Sequence, residues 1–256
     1  MIIFALALPF VVALGFLITN NDRVPSATPL MPNPNGYDKF LEAGRMLEGD
    51  PASYKTMDVA DLTELVASNA TALNLMRAAF TNEIRVPVQF STTTASSNLA
   101  VMISFRKLAM ILTAEGRLAE LNNRPEDAAW DYLDVIRFGN ESGRGGLIVD
   151  AMIEVAIEGL GQSNLQRLTG KLDAAACRKI IAGLELLDAQ RQPWTDVLET
   201  ENIWHRKISP GLKGYLIISI LMRKQISDNN QKAEKKFPRT GTQNSETHDS
   251  ICRPRL

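Results

Sequence analysis

Apolar residues recur every three or four positions through most of residues 37–226, which is the spacing of α-helices that bury one face. Polar caps, prolines and glycines separate these stretches and predict where each helix begins and ends. The predicted helices begin near Asn35, Leu62, Asn98, Pro125, Leu147, Asp173 and Pro193. Aromatic residues make up only 6% of the chain, which favours helices over sheets. We therefore expect an all-α fold, an irregular bundle of about seven antiparallel helices.

The second predicted helix has the clearest apolar seam. Its inward positions step alternately by four and three residues: Leu62, Val66, Asn69, Leu73, Met76 and Phe80. This heptad-like spacing predicts one continuous helix that packs along a partner helix. Asn69 interrupts the seam, and a lone buried asparagine more often fixes the register of packing than binds a ligand.

The third and fourth predicted helices form a pair within the sequence AEGRLAELNNRPEDAAWDYLDVI. Gly116, Ala128 and Tyr132 resemble the small and aromatic positions of one tetratricopeptide helix pair, where small residues let two antiparallel helices approach closely. A solenoid needs about three or more repeats, and the chain has one copy. We expect a helical hairpin at the centre of the bundle and not a repeat protein.

The N-terminal residues 2–18, IIFALALPFVVALGFLI, carry no charge and have no polar face. This run lies at the lower edge of the roughly 17–25 residues that cross a bilayer and exceeds the roughly 7–15 of a signal-peptide core. We therefore expect residues 1–19 to form a signal anchor. The sequence Ala13-Leu14-Gly15 fits a signal peptidase, so a cleaved signal peptide is the alternative.

Residues 20–36 are rich in proline and predict a semi-rigid, extended tether between this anchor and the body. Arg23, Lys39 and Arg45 follow the apolar run and no basic residue precedes it. By the positive-inside rule this charge pattern would place the body in the cytoplasm. The Pro, Ser, Thr and Asn-rich spacer is instead typical of an extracytoplasmic stalk, and we expect the body on the periplasmic side.

The C-terminal part of the chain differs in composition from the body. The run YLIISILM, residues 215–222, is too short to span a membrane, and we expect it to close the core. Residues 227–256 are polar and aperiodic, which predicts a disordered tail. Cys177, on the apolar stripe of the sixth predicted helix, is expected to be a buried free thiol.

The charge distribution does not fit a dedicated nucleic-acid binder. The formal net charge is −1, and residues 223–256 hold 8 Lys and Arg against 4 Asp and Glu. A nucleic-acid binder clusters its basic residues along a folded face with interleaved aromatics, whereas this basic excess lies in the predicted tail. We expect a membrane and an unidentified protein as partners, and no nucleic acid.

The stretch GNESGRGGLIVDAMIEVAIEGLG, residues 139–161, is the part of the chain closest to a ligand-binding motif. A Walker-type phosphate loop needs Lys and Ser or Thr after its glycines and must follow a strand. This loop has Arg144 instead of Lys and follows a helix. We expect Gly139 to end the fourth helix in a left-handed conformation and the later glycines to form a tight turn. An anion site at Arg144 is the alternative.

Three carboxylates follow this loop at intervals of four on an otherwise apolar helix: Asp150, Glu154 and Glu158. We favour a solvated ridge over a carboxylate cluster that binds a divalent cation or a cationic ligand. Glu201 and His205 are also four apart, but no third metal ligand follows at a suitable spacing. The candidate ligand residues are thus Arg144, Asp150, Glu154, Glu158 and His205, with no catalytic, cofactor or metal site assigned.

Several stretches of the body also resemble a known family. PNPNGYDKFLEAGRML, the Asn69 helix ending in MRAAF, IRVPV and the sequence from GRLAEL to EGLG are together similar to an uncharacterised family of membrane-anchored or exported all-helical proteins of planctomycete bacteria. The resemblance covers roughly residues 32–205. It implies a fold and a placement at the membrane, and no chemistry.

These observations lead to two functional hypotheses. The preferred one is a membrane-tethered extracytoplasmic helical module that acts by protein binding or scaffolding. The alternative is a metal- or anion-dependent enzyme or binder that uses the glycine loop and carboxylate stripe of residues 139–161.

Overall fold

A computed structural model describes residues 30–89 and 95–208, without the side chains of residues 95–99 and 208. Within these ranges the chain is helical and contains no strand, which confirms the expected all-α class. The helices are α1 Gly36–Arg45, α2 Val59–Ser68, α3 Ala70–Ala79, α4 Ala95–Leu121, α5 Pro125–Ser142, α6 Ile148–Leu168, α7 Ala174–Ala189 and α8 Trp194–Ile208, with 3₁₀ turns at Pro51–Ser53 and Thr169–Lys171. The described residues from Pro32 onward belong to one compact unit.

The predicted anchor at 1–19, the run at 215–222 and the tail at 227–256 lie outside the described residues. So does most of the predicted tether at 20–36. Among the helices that are described, none is both long enough and apolar enough to cross a bilayer.

Helix starts follow the caps that the sequence predicts. The Asn35 side chain accepts a hydrogen bond from the Tyr37 N–H at 3.1 Å and so caps α1. Asp173 accepts from the Ala176 N–H at 2.7 Å and caps α7. Asn35 also holds the segment before α4, because it donates to the Arg85 carbonyl at 2.8 Å and accepts from the Arg85 N–H at 3.0 Å. This contact fixes the backbone that carries the Arg85 side chain.

The predicted second helix is two helices, α2 and α3, which meet at Asn69. The expectation of one continuous helix through this residue is therefore wrong. The Asn69 side chain is fully buried and bonds to the Leu65 carbonyl and to the backbone of Glu48. An asparagine side chain that bonds to nearby backbone competes with the helix ladder, which explains the break.

The core of the unit is centred on three phenylalanines from α1, α4 and α5. Phe40, Phe105 and Phe138 are almost fully buried, and their rings meet edge to face at centroid distances of 4.9–6.1 Å. Helices α3 and α6 add aliphatic side chains to this cluster. A second cluster joins α5, α6 and α7 around Tyr132.

Helices α4 and α5 form the predicted hairpin and pack closely where Gly116 faces Tyr132. A Cβ atom at Gly116 would lie 2.6 Å from Cε1 of Tyr132, so only glycine fits beneath the ring. The Tyr132 hydroxyl donates to the buried Glu120 carboxylate at 2.6 Å, which holds the ring in place. A relation of this hairpin to tetratricopeptide repeats stays a prediction.

Two local expectations on α5 and α7 are wrong. Helix α5 continues past Gly139 to Ser142, because Gly139 serves close helix packing and does not end the helix. A Cβ atom there would lie 2.8 Å from the backbone nitrogen of Glu158 on α6. The left-handed glycine of this loop is Gly145, with φ of 74°. Cys177 is buried as expected but is disulfide-bonded, so it is not a free thiol.

Candidate functional site

Helix α6 points its glutamates inward, opposite to the solvated ridge that the sequence favours. Glu154 and Glu158 are buried, whereas Met152 is 65% exposed and Val155 is 49% exposed. A buried carboxylate needs a partner, and Arg191 provides one by donating to both oxygens of Glu158 at 2.6 Å. Arg191 follows α7, so this ion pair attaches the α7–α8 connection to α6.

The pKa of Glu154 is raised to about 7. Burial is the main cause, and the neighbouring Glu158 charge raises it further. Arg191 opposes the shift from 3.8 Å, and Arg144 opposes it too. Glu154 therefore lies in a position where ionisation is costly, although two arginines are close.

The other predicted candidates at this end of α6 have structural partners. Asp150 accepts from the Leu147 N–H at 2.8 Å and so caps its own helix, while burial raises its pKa. Glu201 on α8 accepts from the Ile148 N–H at 3.0 Å. His205 lies 3.2 Å from Glu201, which places it beside the start of α6 and away from the inward glutamates. Carboxylates at a helix N-terminus also interact favourably with its dipole.

An open cleft with a volume of about 680 Å³ lies beside the glycine loop. The segment between α3 and α4 lines it together with the C-terminal half of α5, Gly145 and the α7–α8 connection. Four arginines contribute to its wall: Arg85, Arg137, Arg144 and Arg191. Of the residues predicted from sequence, only Arg144 is part of this wall.

Two of these arginines are occupied by carboxylates of the fold. Arg144 donates to Glu141 through Nε at 2.6 Å and also donates to the Gln190 carbonyl at 2.9 Å. Its own carbonyl accepts from the Val86 N–H at 2.9 Å, which joins the glycine loop to the segment before α4. Arg191 is held by Glu158. These two side chains mainly shape the cleft.

Arg85 and Arg137 have no carboxylate within 4.0 Å in the part of the chain that the structure describes. The Arg137 guanidinium lies 4.2 Å from the centre of the Phe80 ring and donates to the Phe80 carbonyl at 3.2 Å. The Arg85 side chain passes over Gly145, where a Cβ atom would lie 2.9 Å from its Cγ. Phe80 therefore holds the Arg137 guanidinium at the cleft, and the Arg85 side chain packs on the glycine loop.

The cleft is not uniformly positive. Glu83, Glu141 and Asp196 also line it, together with the apolar surfaces of Phe80 and Pro193. Such a mixed wall fits a ligand that carries one or two negative charges and some apolar surface. It does not fit a polyanion, which would meet three carboxylates of the same sign.

In the described ranges, no group of three or more His, Cys, Asp or Glu side chains is arranged to bind a metal ion. The sequence reading missed Arg85, Arg137 and Arg191 as site residues because each stands alone on a different segment. Only folding brings them together, so no local motif marks them. The best available signal is indirect: glycines at 143, 145 and 146 predict a tight turn, and a tight turn can border a cleft.

The fold and the cleft define an all-α helical bundle with an arginine-lined groove. No protein family, no curated protein and no solved structure matches the chain.

Proposed function

We propose that this chain is a membrane-tethered, extracytoplasmic module that binds a partner protein, and that the arginine cleft recognises a carboxylate-bearing segment of that partner. The observation that carries the proposal is the pair Arg85 and Arg137, which face the cleft without a carboxylate from the described fold. Guanidinium groups bind planar carboxylates through paired, charge-assisted hydrogen bonds. A ligand carboxylate would accept hydrogen bonds from these two guanidinium groups.

The dimensions and lining of the cleft support a peptide segment as the ligand. Ligand sites usually have volumes of roughly 300–1,000 Å³, and a cleft of about 680 Å³ falls in that range. A single phosphate would fill only a small part of it. Amide side chains of Asn82, Gln190 and Gln192 line the same wall and can bond to a peptide backbone.

The test is a binding titration with acidic peptides by calorimetry. We expect peptides with one or two adjacent Asp or Glu residues to bind, and matched Asn and Gln peptides not to bind. Replacing Arg85 or Arg137 by Gln should weaken binding about tenfold or more, since a charge-assisted hydrogen bond contributes about 1.5–3 kcal/mol. Arg124→Gln is the control, because Arg124 is exposed and pairs with Asp127 away from the cleft wall.

Two results would contradict this assignment. If the Arg85→Gln and Arg137→Gln variants bind the peptides with the affinity of the unmodified chain, the cleft arginines do not hold the ligand. Binding of inorganic phosphate with the same affinity as the peptides would point to a small anion and not to a protein segment. Salt should weaken a genuine ionic contact, because exposed charges are screened.

The membrane placement rests on residues 2–18 and on the proline-rich spacer, as well as on the resemblance to anchored helical proteins. A reporter that is active only in the cytoplasm, fused after residue 40, tests the orientation. Activity of that reporter would place the body on the cytoplasmic side and overturn this part of the proposal.

The metal-dependent alternative makes a different prediction for the same protein. A ligand that binds the native state raises the melting temperature. A rise with a divalent cation that a chelator reverses, and that Glu154→Gln abolishes, would favour that alternative over peptide binding.

A further inference from the structure

Helix α6 exposes apolar side chains on the side that faces away from α5. Met152 is 65% exposed and Val155 is 49% exposed, and Ala156 beside them is exposed as well. On the same helix Glu154 and Glu158 are buried. A surface helix usually shows the reverse arrangement, with charges outward and apolar residues inward. We call Met152, Val155 and Ala156 the outer face of α6.

The described elements leave this face uncovered. Helices α4 and α5 pack on the inner side of α6, where Ile157 joins the phenylalanine cluster. Helix α8 touches the start of α6, where Glu201 accepts from the Ile148 N–H at 3.0 Å. Met152 lies one turn further along the helix and remains exposed.

We propose that residues 215–222 of the same chain, YLIISILM, dock on the outer face of α6. Seven of these eight residues are apolar, and the run is too short to cross a bilayer, so it needs a protein surface to cover it. If helical, it would be about 12 Å long, which is enough to cover the outer face, whose residues span about 6 Å of α6. The small side chain of Ala156 lets a second element approach closely.

The connection is short enough to favour this segment over other occupants. Glu201 contacts α6 and lies two turns before the end of α8 at Ile208, a distance of about 10 Å. Residues 209–214 can span about 20 Å when extended. The run therefore starts within reach of α6, and an intramolecular contact benefits from a high effective concentration. A second copy of the chain has no such advantage.

Methionine oxidation tests this docking in the full chain, reconstituted in lipid nanodiscs. Hydrogen peroxide oxidises exposed methionines faster than covered ones, and mass spectrometry reports each site. Met46, which is 40% exposed, serves as the internal reference, and the fully buried Met76 reports unfolding. If residues 215–222 cover the outer face, Met152 should oxidise at least about threefold more slowly than Met46. An uncovered Met152 should oxidise at least as fast as Met46.

Variants identify what covers the face. The double substitution Ile217→Asp with Leu221→Asp should bring Met152 to the rate of Met46, while Met76 stays protected. Thr240→Asp with Thr242→Asp adds the same two charges elsewhere and should leave Met152 protected. Rapid oxidation of Met152 in the unmodified chain overturns the proposal. Protection that survives the Ile217 and Leu221 substitutions also overturns it and points to a second copy or to lipid. The outcome is independent of peptide binding at the arginine cleft.

Discussion

Asn69 and Glu48 exchange two hydrogen bonds that join the break between α2 and α3 to the loop after α1. The Asn69 amide donates to the Glu48 carbonyl at 3.0 Å, and its side-chain oxygen accepts from the Glu48 N–H at 2.9 Å. The amide also donates to the Leu65 carbonyl at 2.8 Å. The same amide also donates to the Ser68 hydroxyl at 3.2 Å, and the whole side chain is fully buried.

Replacing Asn69 by Ala removes all four side-chain hydrogen bonds and leaves a small void. We expect the free energy of unfolding to fall by about 1–3 kcal/mol, since buried polar groups lose their partners. Asn74→Ala, at an exposed position on α3, is the matched control and should not lower the stability, because alanine favours a helix. Urea denaturation of both variants measures the difference. Equal stability of the two would show that Asn69 does not hold this junction.

The Asn69 junction also shows what the sequence pattern could predict. Spacing of four and three residues correctly indicated helices on both sides of it and a buried Asn69. The same spacing could not reveal the break, because Leu62 and Phe80 keep their phase in the pattern whether or not the helix is continuous. The break depends on the Glu48 backbone, which lies about twenty residues earlier in the chain.

The orientation of α6 could not be predicted for a related reason. Apolar residues occupy all sides of this helix, so its pattern does not identify the buried face. The side of α6 that is buried depends on Arg191, which lies on another segment and pairs with Glu158. Arg85 and Arg137 illustrate the same limit at the cleft, because only tertiary packing brings their separate segments together.

Arg77 on α3 is surrounded by three carboxylates. We therefore expect the stability of the chain to depend strongly on this one side chain. It contacts Glu115 at 2.7 Å, Asp131 at 2.9 Å and Asp134 at 2.8 Å. Arg77→Met should reduce the free energy of unfolding at pH 8 by about 1–3 kcal/mol, because three like charges lose their common partner. Chemical denaturation at low and high salt measures this loss, and salt should reduce it.

A second substitution should rescue part of the Arg77→Met loss. Burial raises the pKa of Asp131 to about 7, and the Glu115 charge adds to this effect. Asp131→Asn removes the least favourable of the three charges and should restore part of the stability in the Arg77→Met background. Purely additive effects of the two substitutions would contradict a coupled charge cluster.

Glu154 should make the stability of the chain depend on pH. Its pKa is raised from 4.5 to about 7 in the folded chain, so the folded state keeps a proton that the unfolded chain has released. The free energy of unfolding should therefore fall as the pH rises from about 4.5 to about 7. Glu154→Gln removes this contribution. The free energy of unfolding of the variant minus that of the unmodified chain should therefore be larger at pH 8 than at pH 4.5, by on the order of 1–3 kcal/mol.

Denaturation of the unmodified chain and the Glu154→Gln variant at several pH values measures this effect. Glu64→Gln, at an exposed position on α2, controls for the loss of one negative charge. A stability difference between the Glu154→Gln variant and the unmodified chain that stays constant from pH 4.5 to pH 8 would rule out the raised pKa.

Gly116 tests the close packing of α4 on α5. Glycine to alanine inside a helix normally stabilises by about 1 kcal/mol. Here the added Cβ would lie 2.6 Å from the ring of Tyr132, which is fully buried and bonded to Glu120 and so cannot move aside easily. We expect Gly116→Ala to destabilise the chain by about 1–3 kcal/mol instead. In a Tyr132→Leu background the clash disappears, and the same substitution should become neutral or stabilising. Thermal denaturation of the four variants measures the coupling, and a stabilising Gly116→Ala in the unmodified chain would show that the two helices do not pack this closely.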